Sequence, residues 1–225
     1  MTGWSWRLGR IAGIDVYMHG TFLVLLAWVA LSHYLEHHRI VDAVSGVLFI
    51  LALFGIVVLH ELGHALTARH YGIRTRDITL LPIGGVARLD RMPDDPKQEL
   101  VVAFAGPVVN VVLAAALFLL MPSTTSPTIL GELQQIGDGI VAKLAWVNVG
   151  LAAFNLIPAF PMDGGRVLRA LLALRMDYVR ATNVAAEVGR GLALMFGLVG
   201  LFANPLLIFI ALFVWAGATA EAGMV

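Results

Sequence analysis

Val58-Leu59-His60-Glu61-Leu62-Gly63-His64-Ala65 is the stretch on which the reading of this chain turns. Histidines four residues apart fall on one face of a helix about one turn apart, so both imidazoles can reach a single metal ion while Glu61 projects beside them. That spacing, H-E-x-x-H, is the one by which a helix prepares zinc for hydrolysis. Its setting is unusual. The motif closes an uncharged run from Ala43 to Leu59, which places the histidines and the carboxylate at the end of a segment suited to lipid.

The whole chain shares that character. Of 225 residues 59% are hydrophobic and only 13% charged, and the mean hydropathy is +0.85. A soluble protein of this size could not bury so much apolar surface, so an integral membrane protein is expected. The formal net charge is zero, and nothing in it points to nucleic acid as a partner. There are no cysteines, which leaves His, Asp and Glu as the strong metal ligands. The N-terminus carries Trp4, Trp6 and Arg7 with no small-residue cleavage site, and reads as preceding a retained first span.

Working outward from the motif, the pattern predicts an all-α polytopic membrane protein with six transmembrane helices and a small membrane-associated β-sheet. The spans fall at about residues 20–35, 43–70, 100–121, 139–156, 182–203 and 205–220, and the β segments at about 4–18 and 73–89. Trp4, Trp6 and Tyr17 are interfacial anchors. Residues 90–99 read as a charged loop, and a polar loop runs to about Asp138. His33, His37 and His38 lie where solvated histidines are common, and no site is assigned to them. Residues 1–225 are read as one domain, without internal repeat.

Charge placement orients the spans. Arg7 and Arg10 precede the first, six Lys and Arg lie between the second and third, and four between the fourth and fifth. Twelve of the fifteen thus fall on one side. By the positive-inside rule a multi-pass protein of the plasma membrane is expected, with cytoplasmic N- and C-termini. His60 and His64, near the exit of the second span, then meet the end of the fourth at one depth. There Asn155-Leu156-Ile157-Pro158-Ala159-Phe160-Pro161-Met162-Asp163-Gly164-Gly165 cannot form a regular helix. Broken backbone at membrane depth is tolerated where it is buried in protein or lines a polar cavity.

A catalytic zinc needs three protein ligands and an open position. His60 and His64 supply two, and Asp163, carried on the broken segment, is the best third. Water on zinc is acidified to a pKa of about 7, and Glu61 is placed to take its proton as general base and deliver it to a leaving amine. Asn155 is placed to donate to a developing oxyanion, with a helix-packing amide as its alternative. Asn110 and Asn148 read as packing residues. A rival class, a zinc-binding transporter or sensor without hydrolysis, stays open, although no pair of related halves is visible.

His60-Glu61-Leu62-Gly63-His64, taken with Asn155-x-x-Pro158-x-x-Pro161-x-Asp163-Gly164-Gly165, resembles the intramembrane zinc metalloproteases of the site-2 protease family. Leu81-Pro82-Ile83-Gly84-Gly85-Val86 and Ala105-Gly106-Pro107 resemble further landmarks of its prokaryotic six-span branch. The resemblance implies one Zn²⁺ per chain on His60, His64 and Asp163, Glu61 as general base and Asn155 as a transition-state helper. It also implies transmembrane segments of other proteins as substrates, cut within or near the bilayer. Relatives in that branch often append a pair of nucleotide-sensing CBS domains, so this chain is expected to be a compact member or the catalytic core of a longer one. On this footing the 73–89 segment is expected to offer a strand edge, around Ile83 to Val86, to an unwound substrate.

Overall fold

The structure, a computed structural model, describes residues 4–225 apart from 83, 92, 94 and 121–128, with the backbone alone for 129–138. Most of the chain is helical. Among the described residues seven helices and four strands follow in the order β1 (Ser5–Ile11), β2 (Ile14–His19), α1 (Thr21–His37), α2 (Ile40–His70), β3 (Thr75–Leu81), β4 (Gly84–Leu89), α3 (Pro96–Leu119), α4 (Ile129–Asn155), α5 (Asp163–Ala173), α6 (Tyr178–Phe202) and α7 (Leu206–Ala222). Residues 4–91 with 109–150 form one compact unit, and residues 93–108 with 151–225 a second.

In the first unit the two predicted β segments join in a single sheet of order β1-β2-β3-β4. β1 and β2 are an antiparallel hairpin. Its turn residues Ala12 and Gly13 have φ of 50° and 86°, the left-handed pair that matches a two-residue turn to strand twist. β2 pairs parallel with β3, from Asp15 opposite Asp77 to Met18 opposite Leu80, and β3 pairs antiparallel with β4. That parallel seam unites segments nearly sixty residues apart in sequence, and no local pattern announces it. Alternation then decides the faces. Ile14, Val16, Ile78 and Leu80 turn inward against Phe54, Val58, Leu62 and Ala65, the i, i+4, i+8 and i+11 stripe of α2. On the β3–β4 hairpin, Arg88 donates to both carboxylate oxygens of Asp77. That hydrogen bond and the carboxylate's charge hold the guanidinium above its ordinary pKa.

In the second unit the expected charged loop is shorter than predicted. The Asp95 side chain accepts from the Lys97 backbone N–H at 2.9 Å, and Pro96 opens α3 at the position where its missing N–H costs nothing. Glu99 is therefore helical and buried, in contrast to the expected solvated loop residue. In the first unit the expected loop to Asp138 is also cut short, since α4 begins at Ile129. Glu132-Leu133-Gln134-Gln135 are good helix formers whose polarity does not oppose helix. Residues 122–128 of that loop lie outside the described residues, as does Ile83. The helix after the broken segment begins at Asp163.

Among the described residues three helices are long and apolar enough to cross a membrane: α2, α3 and α6. Gly139–Asn155 of α4 and Leu206–Ala222, the whole of α7, are shorter apolar stretches. α1 has 17 residues, about 26 Å of helix, slightly less than the hydrocarbon thickness of about 30 Å.

Candidate metal centre

The stripe of α2 that packs on the sheet leaves His60 and His64 on another face of the same helix. Both are buried, at 6% and 4% exposure. Their rings stand edge to face with centroids 4.8 Å apart, and the two Nε2 atoms are 3.1 Å apart. Two nitrogens bound to one tetrahedral zinc at about 2.0–2.1 Å would sit about 3.3 Å from each other, so the imidazole pair fits a shared ion.

The opposite edge of His60 meets a chain of amides. Asn148 Nδ2 donates to the Leu144 carbonyl at 2.8 Å, which leaves Asn148 Oδ1 to accept from Asn110 Nδ2 at 3.1 Å. Asn110 Oδ1 then faces His60 Nδ1 at 2.5 Å. An amide oxygen can only accept, so His60 carries its proton on Nδ1 and presents an Nε2 lone pair. Both asparagines are fully buried. The expectation that they serve as packing residues is extended here: they also form a directional hydrogen-bond chain behind His60. A signal was available in the sequence, since an amide in an uncharged run must find a polar partner.

Glu61, between the histidines in sequence, lies against β4. A Cβ placed on Gly85 would come within 3.0 Å of Glu61 Cγ and 2.9 Å of Val57 Cγ1. Gly85 is thus the point at which strand backbone passes directly beside the carboxylate side chain.

Asp163 belongs to the second unit. It is buried, at 7% exposure, and opens α5, where the helix dipole favours a carboxylate. The two glycines after it answer to space. A Cβ on Gly164 would collide with the Leu156 and Ile157 backbone, and one on Gly165 would sit 2.6 Å from the Phe160 nitrogen. The start of α5 is therefore pressed onto the preceding turns, which contain the cis Phe160–Pro161 bond. Asn155 is the last residue of α4 and is half-buried. His60, His64 and Asp163 are thus each buried, and each offers one metal-ligating atom. Among the other histidines, His33 pairs its Nδ1 with the Val29 carbonyl at 3.0 Å, and its ring packs over Gly46.

Comparison with known proteins matches residues 48–139 and 131–196 to the model of peptidase family M50. The solved site-2 protease from Methanocaldococcus jannaschii superposes with a TM-score of 0.67 at 38% identity, covering 97% of this chain and 95% of that one. The chain belongs to peptidase family M50. A zinc metalloprotease of the same archaeon is 41% identical over 223 residues, 99% of this chain and 62% of that protein. Rip3 of Mycobacterium tuberculosis is 36% identical over 237 residues, 95% of this chain and 58% of the relative. The chain thus spans a little more than half the length of these curated M50 relatives. Both stretches that carried the resemblance, residues 60–64 and 155–165, fall within the M50 match.

Proposed function

We propose that this chain is an intramembrane zinc metalloprotease that hydrolyses peptide bonds in or near transmembrane segments of other proteins. The observation that carries the reading is the buried imidazole pair, its Nε2 atoms 3.1 Å apart, on a helix long and apolar enough to cross a membrane. His60 and His64, with Asp163 as the third ligand, would hold one zinc ion. When bound, zinc supplies a Lewis acid that polarises a carbonyl and acidifies a water. Glu61 takes the proton of the attacking water and passes it to the leaving amine. Asn155 donates to the oxyanion as the carbonyl carbon becomes tetrahedral.

A helical amide is shielded by its own hydrogen bond, so the substrate must be extended where it is cut. β4 is an edge of the sheet and passes beside Glu61 at Gly85. Strand addition to β4 would deliver an extended peptide to the general base. Residues 1–225 act as one catalytic domain in this reading. The family is membrane-embedded, and α1, α2, α3, α4, α6 and α7 are its six spans in a multi-pass plasma-membrane protein with cytoplasmic termini. The lipid bilayer is its solvent and a transmembrane protein its substrate. A regulatory nucleotide-sensing module attached to this core is a further expected partner.

Purified wild type and Glu61→Gln, assayed for zinc and incubated with a model transmembrane substrate, test the proposal. Equal zinc is expected, with cleavage reduced about 10²–10⁴-fold in the variant. Metal-dependent flux in liposomes, with no cleavage by either protein, would instead establish the transporter reading.

A further inference from the structure

We infer that α7 is the positioning element for Asp163: Gly217 and Glu221, one turn apart on the same face, clamp the segment bearing it from both sides. The inference rests on Asp163 being a metal ligand, as proposed above.

Gly217 holds the segment before Asp163. A Cβ there would lie 2.8 Å from the nitrogen of Pro161 and 2.9 Å from its Cγ, and closer still to Cδ. Backbone and a rigid ring cannot move aside cheaply, so glycine at 217 is what lets α7 reach the turn two residues upstream of Asp163. Beside it, Gly189 of α6 and Ala218 of α7 close over Ala159, where a Cβ on Gly189 would find both side chains at 3.4 Å.

Glu221 holds the segment after Asp163. Its Oε1 accepts from Arg169 Nη1 at 2.5 Å, while Arg169 Nε and Nη2 donate to Glu99 Oε1 at 2.8 and 2.6 Å. The Arg169 side chain is 2% exposed. Its guanidinium lies 5.1 Å from the centroid of the Phe160 ring and 5.0 Å from that of Tyr178. A buried guanidinium is strongly destabilised when a partner is removed, so α5 is anchored at its second turn. Phe160, stacked on that guanidinium, belongs to the turn that Gly217 seats. The two anchors are therefore mechanically one device, and Asp163 lies between them. Gly217 and Glu221 act through the placement of a carboxylate.

Gly200 provides the matched control. It belongs to the same α6–α7 pair, where a Cβ would meet Ile208 Cγ1 at 2.8 Å and the Ile208 nitrogen at 2.9 Å. The crowding is comparable, but the neighbour is not the Asp163 segment. Full-length Gly217→Ala, Gly200→Ala, Glu221→Gln and Asp163→Asn, each in bilayer discs, would be measured for zinc affinity by chelator competition, for the d–d spectrum of the Co²⁺ form and for Tm. Gly217→Ala is expected to weaken zinc by about 10–100-fold and to shift the Co²⁺ spectrum, at a Tm close to that of Gly200→Ala, whose affinity and spectrum stay wild-type. Glu221→Gln keeps an acceptor for Arg169, guards against a Gly217 variant that fails to fold, and should shift the spectrum in the same direction. Wild-type affinity and spectrum in both Gly217→Ala and Glu221→Gln, with metal lost in Asp163→Asn, would overturn the clamp alone. Wild-type zinc binding by Asp163→Asn would overturn the ligand assignment and the clamp with it.

Discussion

The two halves of the proposed metal centre are held in opposite ways. His60 and His64 sit on α2, an unbroken helix of 31 residues, and the helix repeat alone brings their nitrogens to one place. One short chain of amides, Asn110 and Asn148, completes the arrangement. Asp163 sits at the start of an 11-residue helix that follows broken backbone, and is held by close approaches of glycines and by a buried ion cluster. A regular helix tolerates local change because its geometry is carried by many equivalent hydrogen bonds. The Asp163 segment has no such redundancy, so each of its contacts is individually costly to lose.

That contrast can be broken by substitution, beginning with the largest effect after loss of Glu61 itself. Gly164→Ala forces a Cβ into the Leu156–Ile157 backbone. It should cost at least about 1–3 kcal/mol of overpacking strain and displace Asp163, read as a lowered Tm together with loss of bound zinc. Unchanged zinc would mean that the segment is as forgiving as α2. Asn110→Ala removes the acceptor that fixes the His60 tautomer and should weaken zinc by about 10–100-fold with Glu61 chemistry intact. Asn148→Ala, one step further out, should do less. An equal effect from Asn148 would show that packing, and not tautomer, is what the amides provide.

Val86→Pro on β4 sharpens the comparison on the substrate side. It should lower cleavage about three- to tenfold, the worth of one lost main-chain hydrogen bond, while zinc content stays whole. Unchanged cleavage would sink strand addition. The smallest effect is expected at Gly55 of α2, where a Cβ meets nothing within 4 Å. Gly55→Ala should leave zinc and cleavage unaltered and raise stability by up to about 1 kcal/mol through helix propensity. A substantial loss of either activity or metal there would contradict the claim that α2 is locally tolerant.

How much was legible beforehand follows the same division. The α2 histidines were readable because helical spacing converts sequence distance into direction. The hairpins were readable from alternation and glycine, and the break at 155–165 from its prolines. The link from Asn148 through Asn110 to His60 is not legible in the sequence, since the residues that face an amide across a bundle are not encoded by its neighbours. The helical, buried setting of Glu99 is not legible in a charged stretch, since its partner Arg169 is 70 residues away. The parallel β2–β3 seam was invisible for the same reason.

The sequence by itself determined the solvent of the protein, the zinc motif and the need for a broken segment after α4, because hydropathy, helical period and proline sterics act over a few residues. Tertiary structure alone decided which groups restrain those elements: the amide chain behind His60, the strand beside Glu61, and the glycine and ion pairs of α7 around Asp163. Such contacts depend on excluded volume and on the pairing of buried polar groups. Both are settled only when distant segments meet.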